Sequence, residues 1–210
     1  MTINKIGVLG AGTMGAGIAQ VCVEAGYNVV LVDIAEDFVT RGFNGILKRW
    51  DKAATRGKKS PEEVEKFKSL LSTATDNNIF KDCGVVIEAI IENINVKQKV
   101  MKELDGICGP DVILATNTSA LSITEIASAT DRSDKVIGMH FFNPVPAMKL
   151  VEVIPGAETS QETIDTVVAL SNKIGKEPVP MKESPGFIVN RILIPYINEA
   201  ATLYQEGIAS

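Results

Sequence analysis

The sequence contains little of what metal sites and disulfide frameworks require. It has one histidine, His140, and three cysteines, Cys22, Cys83 and Cys108, which lie far apart and show no CxxC spacing. A structural zinc site uses four Cys or His ligands with close spacings such as CxxC, and these residues lie far apart with a single His, so they do not build an ordinary one. We therefore predict no metal and expect the cysteines to be reduced thiols.

Basic residues are outnumbered, and long apolar runs are missing as well. The 21 Lys and Arg face 26 Asp and Glu, for a net charge of −5. This excludes a general nucleic-acid binder, which needs a basic surface to displace counterions. No window approaches the ~20 apolar residues that span a bilayer, and the N-terminal stretch MTINKIGVLGAGTMG lacks the basic and apolar regions of a signal peptide. We expect a cytoplasmic protein without nucleic-acid or membrane partners.

The sequence does contain a regular alternation of apolar, β-branched runs and amphipathic segments of helical length. This alternation is typical of βαβ units and predicts an α/β fold, a doubly wound, mostly parallel Rossmann-type sheet. The predicted strands are Lys5–Leu9, Asn28–Val32, Val85–Ala89, Asp111–Ala115, Val136–His140 and Leu150–Ile154. The predicted helices between them are Met14–Ala25, Glu36–Ala54, Pro61–Leu71 and Asn95–Ile107.

The C-terminal part predicts one further helix, Ser160–Lys173, an edge strand in EPVPM, and then a long helix from Ser184. Ser184 is a candidate N-cap with Pro185 just inside the start, and Pro195 is expected to kink the helix. The apolar positions beyond Val189 repeat at helical spacing and need a partner surface. We expect a first domain over residues 1–183 and, over 184–210, the first helix of an all-α domain whose remainder is absent.

A glycine loop follows the first predicted strand. Gly10, Gly12 and Gly15 form GxGxxG between a strand and a helix, and a second strand ends in Asp33 about twenty positions on. The glycines allow a tight turn, approach of a pyrophosphate to the backbone and close helix packing. Asp33 would accept hydrogen bonds from ribose hydroxyls, which favours NAD over NADP. The alternative is a tight turn in which Asp33 caps the next helix.

The predicted second helix is strongly basic in an acidic protein and begins a basic helical arm over about residues 36–72. Between residues 41 and 59 seven Lys and Arg side chains meet one acid, Asp51. Lys48, Lys52, Arg56 and Lys59 recur every three to four residues and so share one helical face. Such a stripe is either solvated surface or a site for a phosphorylated ligand such as coenzyme A, and charge alone does not decide between them.

The one histidine lies in GMHFFNPVPAMKLVEVI. If the two strands in this stretch form an antiparallel hairpin centred near Pro146, His140 and Glu152 lie directly opposite each other, with Cβ atoms ~5 Å apart. A carboxylate there would fix the tautomer of the imidazole and stabilise its protonated form, which suits general-base chemistry. The alternative is a buried His–Glu pair with a structural role.

Five motifs, in this order, resemble the 3-hydroxyacyl-CoA dehydrogenases, among them the bacterial 3-hydroxybutyryl-CoA dehydrogenases. They are GAGTMGAGIAQ, EAIIEN, NTSALSITEIA, GMHFFNPVPAMKLVEVI and SPGFIVNRILIPYINEA. The resemblance covers nearly the whole chain. It implies interconversion of (S)-3-hydroxybutyryl-CoA and acetoacetyl-CoA with NAD(H), in butyrate or fatty-acid metabolism. It also implies a further helical domain that forms a homodimer in the full-length protein, and it does not imply that this chain is active alone.

The resemblance also assigns roles to individual residues. It makes His140 the general acid and base and Glu152 its partner, and it makes Ser119 and Asn190 the groups that contact the reacting oxygen of the substrate. The implied cofactor contacts are Gly10, Gly12, Thr13, Met14, Gly15, Asp33, Glu92, Lys97, Ser119 and Asn143. The implied coenzyme A contacts are Lys48, Lys52 and Arg56. Two alternatives stay open: a non-catalytic dinucleotide-binding protein of the same fold, and a dehydrogenase of a free small β-hydroxyacid.

Overall fold

The computed structural model describes residues 3–209 and folds them around one mixed β-sheet. In sheet order β3-β2-β1-β4-β5-β6-β7-β8, the strands are β1 (Lys5–Leu9), β2 (Asn28–Val32), β3 (Leu71–Ala74), β4 (Val85–Glu88), β5 (Ile113–Thr116), β6 (Val136–Phe141), β7 (Leu150–Pro155) and β8 (Glu177–Pro180). The helices are α1 (Thr13–Glu24), α2 (Glu36–Thr55), α3 (Pro61–Leu70), α4 (Ile94–Ile107), α5 (Ile123–Ala127), α6 (Gln161–Lys173) and α7 (Val189–Gln205). The predicted fold class is confirmed.

Strands β1 to β6 pair in parallel, and β7 pairs antiparallel to β6. Because the carboxyl ends of parallel strands meet at one edge, the segments that follow β1, β2, β4, β5 and β6 lie side by side there. Strand order reverses between β1 and β4, and ligands of doubly wound sheets bind at that point of the edge. The fold thus specifies where a site should be sought.

The core consists of two apolar layers, one on each face of the sheet. Ile87 belongs to the layer that packs on α1, whereas its neighbour Val86 belongs to the layer that packs on α4. Successive strand residues point to opposite faces, so both must be apolar when helices cover both faces. Each fully buried Val or Ile contributes roughly 1.5–3 kcal/mol, which explains the near-continuous apolar strands of the sequence.

The predicted basic arm forms two helices, α2 and α3, that pack against α1. Trp50 is fully buried, lies 5.5 Å from Phe67 between ring centroids and donates a hydrogen bond to Glu24 of α1 at 2.8 Å. The predicted arm reaches residue 72 and the predicted helix reaches Leu71, but Leu71 begins β3, which pairs with β2. A four-residue strand without an apolar run gives little sequence signal.

The start of the last helix is where the prediction was wrong. A turn occupies residues 185–188, and α7 begins at Val189. Ser184 does not cap it; its carbonyl accepts a hydrogen bond from Phe187 instead. Gly186 and Phe187 both have positive φ, 75° and 52°, which is incompatible with a helix through this segment.

Helix α7 has no buried residue within the described part of the chain. Its exposed apolar side chains include Ile192, Leu193, Ile194, Tyr196, Ile197, Leu203 and Tyr204. The predicted apolar pattern is therefore present and lies on an uncovered helix. Across residues 3–209, no helix has the length and apolarity needed to cross a membrane.

Candidate active site

The glycine loop connects β1 to α1 and leaves the helix start open. Gly10 has φ +104°, and a Cβ there would lie 2.5 Å from the carbonyl oxygen of Ala89. A Cβ at Gly15 would lie 1.7 Å from the carbonyl oxygen of Gly10. Gly12 is the N-cap of α1, and no side chain among residues 3–209 caps it. The amides of the first turn can therefore bind an anion, as the predicted fingerprint requires.

Asp33 follows β2 and holds the glycine loop. Its Oδ2 accepts a hydrogen bond from the amide of Ala11 at 2.7 Å, and its Oδ1 accepts one from Ile34 at 2.8 Å. It does not cap the next helix, because the N-cap of α2 is Ala35, without a side-chain hydrogen bond. The capping role in the alternative interpretation of Asp33 is therefore wrong.

A cavity of about 1200 Å³ opens beside the loop and Asp33. It is mainly apolar, and its walls include Ile34 and Ile91, which are 85% and 67% exposed. Phe38 and Arg41 also line it, with the guanidinium 4.8 Å from the ring centroid. The remaining walls include Gly10, Gly12, Thr13 and Met14. The size and apolar walls suit an aromatic ligand with a phosphate at the helix end.

Sequence reasoning missed Arg41 as a residue of this cavity. It counted Arg41 in the basic stretch but placed the stripe further along, at Lys48, Lys52 and Arg56. The available signal was its position five residues after Glu36, which places it about one and a half turns into a helix that starts at the site edge.

A buried ion pair lies at the end of β4. Lys97 of α4 is 1% exposed and donates to Glu88 Oε1 at 2.6 Å, while Glu88 is fully buried. Glu88 Oε1 also accepts from the amide of Ile90 and Oε2 accepts from Thr116 Oγ1, both at 2.7 Å. Lys97, expected among the cofactor contacts, thus has its ammonium against a buried carboxylate. The prediction had no role for Glu88.

Glu92 fixes the loop that carries Ser119. Its Oε1 accepts hydrogen bonds from Thr118 Oγ1 at 2.6 Å, from the amide of Ser119 at 2.7 Å and from that of Ala120 at 3.2 Å. Its Oε2 lies 3.5 Å from Lys97 Nζ. Partial burial raises the pKa of Glu92, but these hydrogen bonds and the charge of Lys97 outweigh it, so that the pKa lies below its ordinary value. Glu92 is therefore held as a carboxylate.

The hairpin of β6 and β7 places His140 opposite Glu152, in the predicted register. His140 Nδ1 lies 2.7 Å from Glu152 Oε2, and both side chains are buried. The imidazole ring lies between Phe142 and Phe187, at 4.5 and 5.6 Å between ring centroids. Because the carboxylate accepts a hydrogen bond from Nδ1–H, the neutral ring carries its lone pair on Nε2. The arrangement supplies a proton acceptor with a fixed orientation.

The second oxygen of Glu152 anchors α7. Oε1 accepts hydrogen bonds from the amides of Ile188 and Val189, both at 2.9 Å, where an N-cap would otherwise act. The first turn of α7 carries Asn190, whose Nδ2 donates to the carbonyl oxygen of Ser119 at 3.1 Å. The structure therefore joins His140, Glu152, Ser119 and Asn190 through these contacts.

Asn143 lies just after β6, in the exposed loop of the same hairpin, and it precedes a cis proline. Lys176 anchors this loop. Its side chain is buried, with the residue 6% exposed, and donates hydrogen bonds to the carbonyl oxygens of Met148, at 2.8 Å, and Val145. Burial lowers the pKa of Lys176. Sequence reasoning missed Lys176, for which no motif gives a signal.

Three residues of the basic stripe, Lys48, Lys52 and Arg56, are exposed on α2 and at its end. Lys59 departs from the predicted common face: it lies beyond the helix, and its Nζ is 3.2 Å from Glu24 Oε2. The stripe available to a ligand therefore ends at Arg56. Among residues 3–209, no group of three or more His, Cys, Asp or Glu side chains could hold a metal ion.

Comparison with known proteins identifies relatives along the whole chain. The family model for the 3-hydroxyacyl-CoA dehydrogenase NAD-binding domain matches residues 5–184, and the model for the C-terminal domain of that family matches residues 186–210. A 3-hydroxybutyryl-CoA dehydrogenase of Clostridioides difficile is 51% identical over 206 residues, which are 98% of this chain and 73% of the relative. The human mitochondrial hydroxyacyl-coenzyme A dehydrogenase is 47% identical over 214 residues, covering 99% of this chain and 68% of that protein. The crystal structure of (S)-3-hydroxybutyryl-CoA dehydrogenase from Ralstonia eutropha superposes with a TM-score of 0.97 at 46% identity, covering 100% of this chain and 74% of that one.

Proposed function

The chain belongs to the 3-hydroxyacyl-CoA dehydrogenase family, and from this premise we propose how it acts. It is an NAD-dependent oxidoreductase that interconverts 3-hydroxyacyl-CoA and 3-oxoacyl-CoA. We assign (S)-3-hydroxybutyryl-CoA and acetoacetyl-CoA as its substrate pair. The observation that carries the assignment of residues is the His140–Glu152 pair, linked through α7 and Asn190 to Ser119 at the ligand-binding edge of the sheet.

The cavity fits an NAD cofactor. The uncapped amides of α1 suit a pyrophosphate, Asp33 suits ribose hydroxyls, and the apolar walls suit an adenine ring. Thr13 and Met14 follow the glycines in the same wall, and Asn143 belongs to the hairpin loop. When bound, NAD accepts a hydride from the substrate, and NADH supplies one. The side chains of the protein transfer the proton and orient the substrate.

His140 moves the proton. In oxidation, its Nε2 takes the hydroxyl proton as hydride leaves C3 of the substrate, and in reduction it returns a proton to the ketone oxygen. Glu152 holds Nδ1 and stabilises the imidazolium that forms. Ser119 and Asn190 orient the reacting oxygen towards Nε2.

The cationic side of α2 binds the coenzyme A moiety. Lys48, Lys52 and Arg56 are exposed and lie on a helix whose start borders the cofactor cavity. Their charges suit the 3′-phosphate and pyrophosphate of coenzyme A. The segment from residue 184 begins the C-terminal domain, and the complete domain would cover the apolar side chains of α7 and form a homodimer. The protein would act in the cytoplasm.

The test of this function is the oxidation of NADH by acetoacetyl-CoA, followed at the absorbance of NADH. It is run on this chain and on a version extended to the length of its relatives. His140→Gln should lower kcat by about 10²–10⁴-fold, the usual contribution of a general acid or base. NADH affinity, measured by fluorescence titration, serves as the control and should stay nearly unchanged.

Two results would contradict the proposal. Full turnover in His140→Gln would remove His140 from the mechanism, and an inactive extended protein that still binds NADH would indicate a non-catalytic dinucleotide-binding protein. Free acetoacetate, tested beside acetoacetyl-CoA, separates the dehydrogenase of a free β-hydroxyacid, because only that enzyme would prefer the free acid. NADPH, tested beside NADH, determines the choice of cofactor.

A further inference from the structure

The polar groups behind Ser119, most of them buried, form a closed ring of contacts. From Glu88, one side runs through Lys97 Nζ (2.6 Å) to Glu92 Oε2 (3.5 Å) and through Glu92 Oε1 to Thr118 Oγ1 (2.6 Å). The other side runs from Glu88 Oε2 to Thr116 Oγ1 (2.7 Å), which accepts a hydrogen bond from the amide of Thr118 at 3.3 Å. Both sides of the ring therefore end on the loop that begins at Thr118.

This ring uses charges in a place where charges are costly. Glu88 is 0% and Lys97 1% exposed, and an ion buried without a partner costs several kcal/mol. Apolar side chains could fill the same space at no such cost, so packing alone does not account for the pair. Its distinguishing property is direction: a charged hydrogen bond fixes the position of the groups that it joins.

The hydrogen bonds of the ring end at the loop that carries Ser119. Glu92 Oε1 accepts hydrogen bonds from the amides of both Ser119 and Ala120, and the carbonyl oxygen of Ser119 accepts one from Asn190 Nδ2. A shift of Glu92 would therefore move both groups assigned to the reacting oxygen. Glu92 itself is half exposed, and the buried cation beside it is Lys97.

We propose that Glu88 is a positioning residue of the dehydrogenase: it holds Lys97 and Thr116, and through them Glu92 and the loop of Ser119. This rests on the proposed function. It also assigns Lys97 a task different from contact with the cofactor, since its ammonium is directed at Glu88 and Glu92. Removal of the Glu88 charge should loosen the loop and misplace the reacting oxygen, and a misplacement of about 1 Å can cost about 10²-fold in rate.

The test compares three variants of the protein extended to the length of its relatives. Glu88→Gln removes the charge and keeps the shape. The double variant Glu88→Gln/Lys97→Met removes both charges, so that no ion is left buried without a partner. Asp105→Asn is the matched control, because Asp105 lies on α4 like Lys97 and pairs with Arg132 in a largely buried contact. Along α4, Asp105 lies about 12 Å from Lys97.

Three quantities are measured: the melting temperature, kcat and KM with acetoacetyl-CoA, and amide hydrogen exchange of the peptide that covers residues 117–121. In Glu88→Gln, kcat should fall by about 10- to 100-fold, KM should change by less than roughly threefold, and the peptide should exchange faster. The double variant should recover most of the melting temperature but not kcat. Asp105→Asn should lose stability while kcat and the peptide stay unchanged.

Recovery of kcat together with the melting temperature in the double variant would overturn the proposal, since the charge would then serve stability alone. Unchanged exchange of the peptide in both Glu88 variants would overturn it as well. If Glu88→Gln fails to fold, the double variant still decides. The exchange measurement needs no turnover, so an inactive unsubstituted protein would reject the proposed function while the role of Glu88 in holding the loop is still tested.

Discussion

At the scale of single residues, Asp33 connects two segments that a dinucleotide would touch. One of its oxygens holds Ala11 in the glycine loop and the other holds Ile34 in the cavity wall. Arg41 lines the same cavity. The carboxylate therefore shapes the glycine loop and would repel a 2′-phosphate, while the guanidinium nearby would attract one.

We expect Asp33→Asn to weaken NADH binding by about 10- to 100-fold, because hydrogen bonds to a charged group contribute about 1.5–3 kcal/mol. NADPH binding should weaken less or improve, because the repulsion is gone and Arg41 remains. Fluorescence titration with both nucleotides measures the two effects. Asp37→Asn, which makes the same charge change in the first turn of α2, is the control and should leave the ratio of the two affinities unchanged. An equal loss for both nucleotides in Asp33→Asn would show that Asp33 only shapes the loop.

At the scale of elements, α2 separates a packed side from a charged side. Ile46 and Trp50 are fully buried against the core, whereas Lys48 and Lys52 are exposed. The packed side fixes where the charges lie. A ligand with several phosphates would thus meet a preformed row of cations.

We expect Lys48→Ala/Lys52→Ala to raise KM for acetoacetyl-CoA by roughly three- to tenfold with kcat unchanged, because an exposed charge pair contributes about 0.2–1 kcal/mol and binds ground state and transition state alike. Steady-state kinetics at low salt measure this. Lys66→Ala, on the neighbouring helix α3 and also exposed, is the matched control.

Acetoacetyl-pantetheine, which lacks the nucleotide phosphates, provides a second control for the stripe. The double variant should leave its KM unchanged. An equal rise of KM for both thioesters would indicate that the stripe acts on something other than phosphates.

Elements differ in how far the sequence predicts them. The strands β1, β2, β4, β6 and β7 and the pairing of His140 with Glu152 follow from local apolar patterns and from the spacing of one hairpin. The start of α7 does not, because its cap is Glu152, which lies 36 residues before Ile188. The preference for serine at helix N-caps predicted Ser184 as the cap, but Glu152 from β7 accepts the hydrogen bonds of the first amides instead.

The same limit applies within the candidate site. The glycine loop and Asp33 form a local motif and could be predicted. Glu88 and Lys176 could not, because each is defined by partners from other elements: Lys97 and Thr116 for the first, the carbonyls of Val145 and Met148 for the second. Residues that support a site carry no local signature of their own.

At the scale of the whole molecule, the three cysteines report on the integrity of the fold. All are buried: Cys22 lies in one apolar layer of the core, and Cys83 and Cys108 lie in the other. Burial raises the pKa of Cys22 to about 12, although the charge of Lys176 lowers it. Burial likewise raises the pKa of Cys83 to about 12 and that of Cys108 to about 11. At neutral pH the thiolate, which is the reactive species, is nearly absent.

We therefore expect the native protein to show almost no reaction with Ellman's reagent at pH 8, and all three thiols to react once denaturant unfolds the chain. The midpoint of labelling should coincide with the loss of circular dichroism, since each thiol becomes accessible only when the core opens. Rapid labelling of one thiol in native buffer would show local opening at that cysteine. Free cysteine at the same pH serves as the control for the reagent.

Glu152 also links two parts of the chain that are synthesised at different times. The histidine and its carboxylate leave the ribosome well before Ile188 and Val189, whose amides the second oxygen of that carboxylate binds. A nascent chain that stops before Ile188 therefore carries the proposed base and Glu152 without these two hydrogen bonds. In such a chain the carboxylate of Glu152 would be oriented by its contact with His140 and not by the start of α7.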